Sequence, residues 1–195
     1  NGKEGILGIN IGPNKDTKDQ KNDFCLGLKN FFDLADYITV NISSPNTEGL
    51  RDFHDQEKLK DLLVSLNKIK KDNETNIPLL LKVSPDIKED DISKIVDVAT
   101  QNNISAIILT NTTNSNRDNL KSEAKKEEGG LSGKPLQEIS TNIIKNFYKQ
   151  LHGKIPIIGV GGVNSGKSAY EKIIAGASLL QLYTGFVYRG PSAAK

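Results

Sequence analysis

The polar residues with chemical potential in this sequence fall in one kind of place, just after short apolar runs. Asn10 closes GILGINIG, Asn41 and Ser43-Ser44 close YITVNIS, and Lys82 sits near the end of PLLLKV. Thr110-Asn111-Thr112 end and follow AIILT, Gly161-Gly162 follow IPIIGV, and Tyr183-Thr184 end and follow SLLQLY. Amides, hydroxyls and one ammonium form a hydrogen-bonding and charge-balancing set, suited to a planar polar ligand. They offer no metal centre: the single cysteine, Cys25, lacks partners for a zinc site. The run Ser43-Ser44-Pro45-Asn46-Thr47-Glu48-Gly49-Leu50-Arg51 is the most informative. It is either an ordinary turn-rich connection or, with Asn41 and Asn46 beside a serine, a cluster of ligand-binding groups. It does not match the Gly-x-Ser-x-Gly elbow of a serine hydrolase.

Lys82 and the glycines carry the electrostatics. Period-two geometry turns Ile38, Val40 and Ile42 one way and Thr39 and Asn41 the other; likewise Leu79, Leu81 and Val83 oppose Leu80 and Lys82. An inward ammonium needs an anionic or strongly accepting partner. A buried carboxylate is the plain alternative to a ligand, but the apolar strand cores contain none. Gly161-Gly162 lie between a strand and a helix expected to start at Ser165, and Gly129-Gly130-Leu131-Ser132-Gly133 precede another helix. Backbone N–H groups at such turns suit a phosphate, although tight packing alone also uses glycine. The GVGGV spacing is not the dinucleotide fingerprint, which disfavours NAD.

The elements that would position these groups alternate strictly. Strands are predicted at 5–12, 37–43, 78–83, 106–110, 155–160 and 178–183. Between them, apolar residues at helical spacing predict helices at 23–35, 56–70, 90–101, 137–151 and 168–175. Six strands with five intervening helices imply right-handed crossovers and a parallel sheet with helices outside. An open doubly wound sheet competes with a (β/α)8 TIM barrel. A barrel needs eight units, so this reading is of an incomplete one, about six of eight βα units over residues 1–195. In a barrel the polar strand ends share the rim where active sites form, and GVGGV and LYTG fall where the phosphate site is expected.

Composition narrows the functions. Twenty-six basic against 24 acidic residues give a net charge of +2, no argument for nucleic acid. No apolar run approaches the ~18 residues of a membrane span. The chain has no Met and begins Asn1-Gly2-Lys3, so the expectation is a chain processed or cut from a longer one. The charged stretch 117–128 reads as a solvated surface loop or part of a lid. His54 reads as a solvated loop histidine, His152 as a helix cap, and Cys25, Phe24, Phe31 and Phe32 as packing.

At GINIGPNKDT, ADYITVNISSPNTEGLR, LLLKVSPD, IILTNTT, GGLSGKPL, IPIIGVGGVNSG and AGASLLQLYTG the sequence resembles the dihydroorotate dehydrogenase family, specifically its class 2, quinone-linked branch. The stretches occur in order across nearly the whole chain. Class 1 members carry a cysteine where this loop has Ser44. The resemblance implies an FMN-containing (β/α)8 barrel that oxidises dihydroorotate to orotate in pyrimidine synthesis and passes electrons to a quinone. It implies Ser44 as the catalytic base at C5, helped by Thr47 or water. Asn41, Asn46, Asn111 and Thr112 would bind the substrate. Asn10, Asn41, Lys82 and Thr110 would line the flavin, with Ser132, Gly133, Gly161, Gly162, Tyr183 and Thr184 at its phosphate end. Tyr183 is also placed to approach the quinone. The family's upstream lysine and asparagine on the first strands, its N-terminal helical pair and its final helix have no counterpart here. Membrane contact is expected through that N-terminal part, at a mitochondrial or bacterial inner membrane. The alternatives are a non-catalytic FMN- or phosphate-binding fragment, or another FMN-dependent pyrimidine oxidoreductase.

Overall fold

In the computed structural model, which describes residues 5–115, 117–118 and 120–194, strands and helices alternate along the chain. They are β1 (Gly8–Ile11), α1 (Gln20–Phe31), β2 (Tyr37–Asn41), α2 (Gln56–Asp72), β3 (Leu79–Val83) and α3 (Glu89–Gln101). Then come β4 (Ala106–Leu109), α4 (Gln137–Leu151), β5 (Ile157–Val160), α5 (Gly166–Ile174), β6 (Leu179–Gln181) and α6 (Thr184–Arg189). The six strands pair in chain order, every pair parallel. This is an incomplete (β/α)8 barrel, and the open doubly wound alternative, whose strand order would reverse at a switch point, is excluded.

The two faces of the sheet hold separate apolar clusters. The larger joins Ile38, Val40, Leu79, Leu81, Val83, Ile107, Leu109 and Ile157 to the helix residues Leu28, Leu63, Leu66, Ile95 and Phe147. The smaller, on the inner face, joins Leu80, Ala106, Ile108 and Ile158, with Tyr37 and Val160 packed against it. Sheet parity therefore matches the alternation in the sequence. In the ladder Thr39 lies opposite Leu80 and Asn41 opposite Lys82, so the inward set ends in polar groups at the C-terminal rim.

Local chemistry sets the helix boundaries. The Asp19 carboxylate accepts a hydrogen bond from Asn22 N at 2.9 Å, so α1 starts at Gln20 rather than at 23. It ends at Phe31, short of the predicted 35. Asp55 caps α2 through Glu57 N and Lys58 N. Ser165 and Ser168 form a reciprocal capping box at the start of α5. His152 ends α4 in the left-handed conformation, φ 48°, as the expected cap. The short helix α6 follows β6 where the apolar pattern predicts none.

Residues 121–128 are exposed throughout, as expected of a surface loop. Arg117 turns back into it and donates to the carbonyls of Lys125, Glu127 and Gly129. The loop then joins the rim through a bridge between Thr113 and Leu131, with Leu131 N donating to Thr113 O at 2.7 Å.

Leu66 of α2 is fully buried in the larger cluster. Leu66→Ala should destabilise the full-length chain by about 2–5 kcal/mol, transfer and cavity costs together. Urea denaturation measures this, and a loss under ~1 kcal/mol would mean that the helix layer is not packed as described.

Candidate functional site

The ends of β3 to β6 converge on a cavity of about 200 Å³. Ten of the residues singled out in the sequence line it together: Lys82, Thr110, Asn111, Thr112, Ser132, Gly133, Gly161, Gly162, Tyr183 and Thr184. A larger hollow of about 800 Å³ lies in the outer layer between α4 and α5, and none of the predicted residues lines it. The rim cavity is the better candidate because its polar groups converge on one space.

Lys82 enters from β3, partly buried, and burial pulls its pKa below the usual lysine value. Among the described residues no hydrogen bond or ion pair reaches its ammonium. The strands and the cavity lining contain no Asp or Glu to serve it. Across the cavity, Gly161 (φ 117°) and Gly162 (φ 72°) take backbone conformations that side chains resist. A Cβ on Gly162 would sit 2.5 Å from Gln137 Cα, so the turn lies directly on the start of α4. Opposite it, Thr184 Oγ1 donates to Ser132 Oγ at 3.0 Å, and Gly133 lies against the Thr184 methyl.

The remaining candidates sit beside the cavity. Asn41 Oδ1 accepts from Ser43 Oγ at 2.6 Å and from Asn111 Nδ2 at 3.3 Å, and Asn111 Nδ2 donates to Ser43 Oγ at 2.9 Å. Asn41 and Asn111, 70 residues apart in sequence, are thus held together. Ser44 and Asn46 follow on the loop after β2. Ser44 Oγ accepts from Asn46 N at 3.2 Å, and no imidazole or carboxylate bonds to it among the described residues. Asn10 is exposed on edge strand β1, in register with Thr39 and so on the inner face.

Sequence reasoning missed the element that fixes these loops. Arg51 forms a half-buried ion pair with Asp86, Nη1 to Oδ2 at 3.0 Å. Its Nε donates to Ser43 O and its Nη2 to Thr112 O, at 3.4 and 3.5 Å. Asp86 in turn accepts from Thr113 Oγ1, from Asn114 N at 2.9 Å and from Ser115 Oγ at 3.3 Å. One ion pair therefore ties together the loops after β2, β3 and β4. The available signal was the Asp of SPD, directly after the apolar run that ends at Val83.

His54, expected in solvent, is instead closed in beside Arg51, and its Nε2 is buried without a hydrogen-bond partner among the described residues. Burial, and then the Arg51 charge, push its pKa down to about 4, against a weaker pull from Asp91. The unfolded chain takes up this proton near pH 6.5, before the folded chain does. Stability should therefore fall between about pH 6.5 and 4, by up to about 3 kcal/mol, and level off below. His54→Phe should flatten that segment of a plot of urea midpoint against pH. An unchanged slope would assign it to other groups.

Comparison with known proteins bears on this site. The family model described as dihydroorotate dehydrogenase matches residues 1–195. A protein of Bartonella tribocorum named dihydroorotate dehydrogenase (quinone) is 45% identical over 194 residues, 97% of this chain and 54% of that protein. The mitochondrial protein of the same name from Arabidopsis thaliana is 44% identical over 193 residues, 96% of this chain and 42% of its own length. Among solved structures, DHODH from Eimeria tenella in complex with ferulenol superposes with a TM-score of 0.91 at 36% identity, covering 97% of this chain and 56% of that one. The chain spans about half the length of the curated relatives it matches.

Proposed function

Since the chain belongs to the dihydroorotate dehydrogenase family, we propose that it forms most of the FMN site and part of the substrate site of a quinone-dependent dihydroorotate dehydrogenase. The single observation that carries this reading is the rim cavity, with a lysine that has no partner among the described residues on one side and a glycine turn on the other. That arrangement fits a flat hydrogen-bonding ring with an anionic tail. Lys82, Thr110, Asn10 and Asn41 would hold the ring end, and Ser132, Gly133, Gly161, Gly162, Tyr183 and Thr184 the phosphate end. The names of the relatives support dihydroorotate as substrate and a quinone as acceptor.

FMN, when bound, supplies the acceptor for the hydride that leaves C6 of dihydroorotate. Ser44 takes the proton from C5. A serine hydroxyl is a weak base, and the Asn46 N–H already donated to its oxygen favours negative charge there. The serine's own proton leaves through Thr47 or water. Asn111 and Asn41, prearranged by Ser43, present amides to the pyrimidine together with Thr112 and Asn46. Lys82 would hold the ring end of the cofactor and supply positive charge beside it. Membrane contact, in bacteria or mitochondria, belongs to the same proposal and would lie outside these residues. No helix among the described residues is long and apolar enough to cross a membrane.

The test is optical. The full-length protein should bind FMN and turn yellow, and dihydroorotate added without oxygen should bleach it. Yellow protein that does not bleach would leave a flavin-binding protein without this activity. In Ser44→Ala, reduction should slow by about 10²–10⁴-fold with FMN still bound, the range for a lost general base. Lys82→Met should weaken FMN binding or slow reduction by about tenfold, through loss of one charge in a low-dielectric site. Unchanged reduction and retention would remove Lys82 from the role.

A further inference from the structure

Lys172, in the last turn of α5, is fully buried. Its ammonium makes three contacts, all to neutral oxygens: Ser140 Oγ at 3.0 Å, Thr141 Oγ1 at 3.2 Å and Gln137 O at 3.4 Å. No carboxylate touches it among the described residues. The adjacent Glu171 points its Oε2 to Gln137 Nε2 at 2.7 Å instead. Burial pulls the Lys172 pKa down to about 8, with Glu171 opposing, so the charge is held against a desolvation penalty.

Holding α5 against α4 does not require a charge, since a neutral amide could satisfy the same oxygens. The position is unfavourable in a second way. All three acceptors belong to the first five residues of α4, the end at which its macrodipole presents positive charge. The ammonium is thus set on a helix start, where the Glu171 charge bears on it through space but no carboxylate hydrogen-bonds to it among the described residues. What lies beyond is the glycine turn. Ser140 Oγ donates to Val160 O at 2.5 Å, and that carbonyl shares its peptide unit with the Gly161 N–H. A Cβ on Gly161 would meet Ser140 Cβ at 3.0 Å, and one on Gly162 would meet Gln137. The residues that receive the protons of Lys172 are therefore the residues on which the turn rests.

We propose that Lys172 is a positioning residue for a phosphate monoester bound at the glycine turn, acting from behind through Ser140 and the Val160–Gly161 peptide. This inference rests on the FMN reading above. Lys172 holds the turn in register through its hydrogen bonds and adds positive potential behind it. It makes no contact with the ligand. Hydrogen bonds polarised in series by a charge strengthen one another.

The test compares FMN with riboflavin, which lacks the phosphate, by quenching of flavin fluorescence in the full-length protein. Wild type should bind FMN more tightly than riboflavin. Lys172→Met should lose about tenfold in FMN affinity, the scale of one charge acting across a layer of protein, while riboflavin affinity changes less than about threefold. Ser140→Ala leaves the ammonium but breaks the link to Val160, and should shift the FMN-to-riboflavin ratio the same way by about threefold. That milder variant decides the matter if Lys172→Met does not fold. A wild type that binds neither flavin, or both equally, overturns the cofactor reading and this inference with it. If wild type prefers FMN and the variants keep the full preference, or lose both flavins in parallel, Lys172 is structural only and the cofactor reading stands.

Discussion

The pairing of Asn41 with Lys82 in the β2–β3 ladder is the constraint on which the site depends. Side chains alternate faces along a strand, so a slip of one residue would send Lys82 into the helix-facing core and bring Leu81 or Val83 to the rim. The large outer cluster makes that slip prohibitive. Leu79, Leu81 and Val83 are each nearly or fully buried against the helices, and turning them inward would forfeit about 1.5–3 kcal/mol per side chain. The register of the apolar residues thereby holds an ammonium in a cavity where, among the described residues, no carboxylate meets it. The hydrophobic layer is what positions the charge.

A second level of order is imposed on the loops. Strand ends alone leave three connections free to move relative to each other. Arg51 and Asp86 remove that freedom because each bonds to more than one loop, and a planar guanidinium holds its partners in fixed directions. Ser43 does the same for two amides. Its hydroxyl donates to Asn41 and accepts from Asn111, so both amides are oriented with no ligand required. Groups set in place beforehand do not have to be ordered when a ligand arrives, which is how a rigid frame improves binding and catalysis.

The legible and illegible parts of this molecule divide along physical lines. Period two and period 3.6 are local, and they reveal the strand–helix order, the inward face of β2 and β3, and the rim location of the candidate residues. Helix ends shift by a few residues where a cap overrides the apolar pattern, as Asp19 does for α1. Arg51 and Asp86 stand 35 positions apart, and nothing in either neighbourhood states that they meet. Nothing in the sequence around Lys172 marks it as buried; only the packing of α4 against α5 buries it. His54 fails for the same reason. The roles of Ser44, Asn46 and the phosphate-end residues came from resemblance to a family, since spacing alone left an ordinary loop and ordinary packing glycines as equal alternatives.

The two lysines explain one another. Among the described residues, Lys82 stands at one side of the cavity without a hydrogen-bond partner, and Lys172 stands behind its opposite wall with neutral hydrogen-bond partners only. Among the described residues neither cation has a carboxylate hydrogen-bonded to it, although Glu171 bears on Lys172 through space and the chain has 24 acidic residues to draw on. Buried or half-buried charge left in this condition is destabilising for the fold alone. Under the proposed function, an anionic group at the glycine turn would offset that cost, and Lys82 would meet the other end of the same ligand. A single cation would bind an anion. Two, on opposite sides, would serve the two ends of one ligand by different routes, Lys82 by facing it directly and Lys172 through the wall behind the turn.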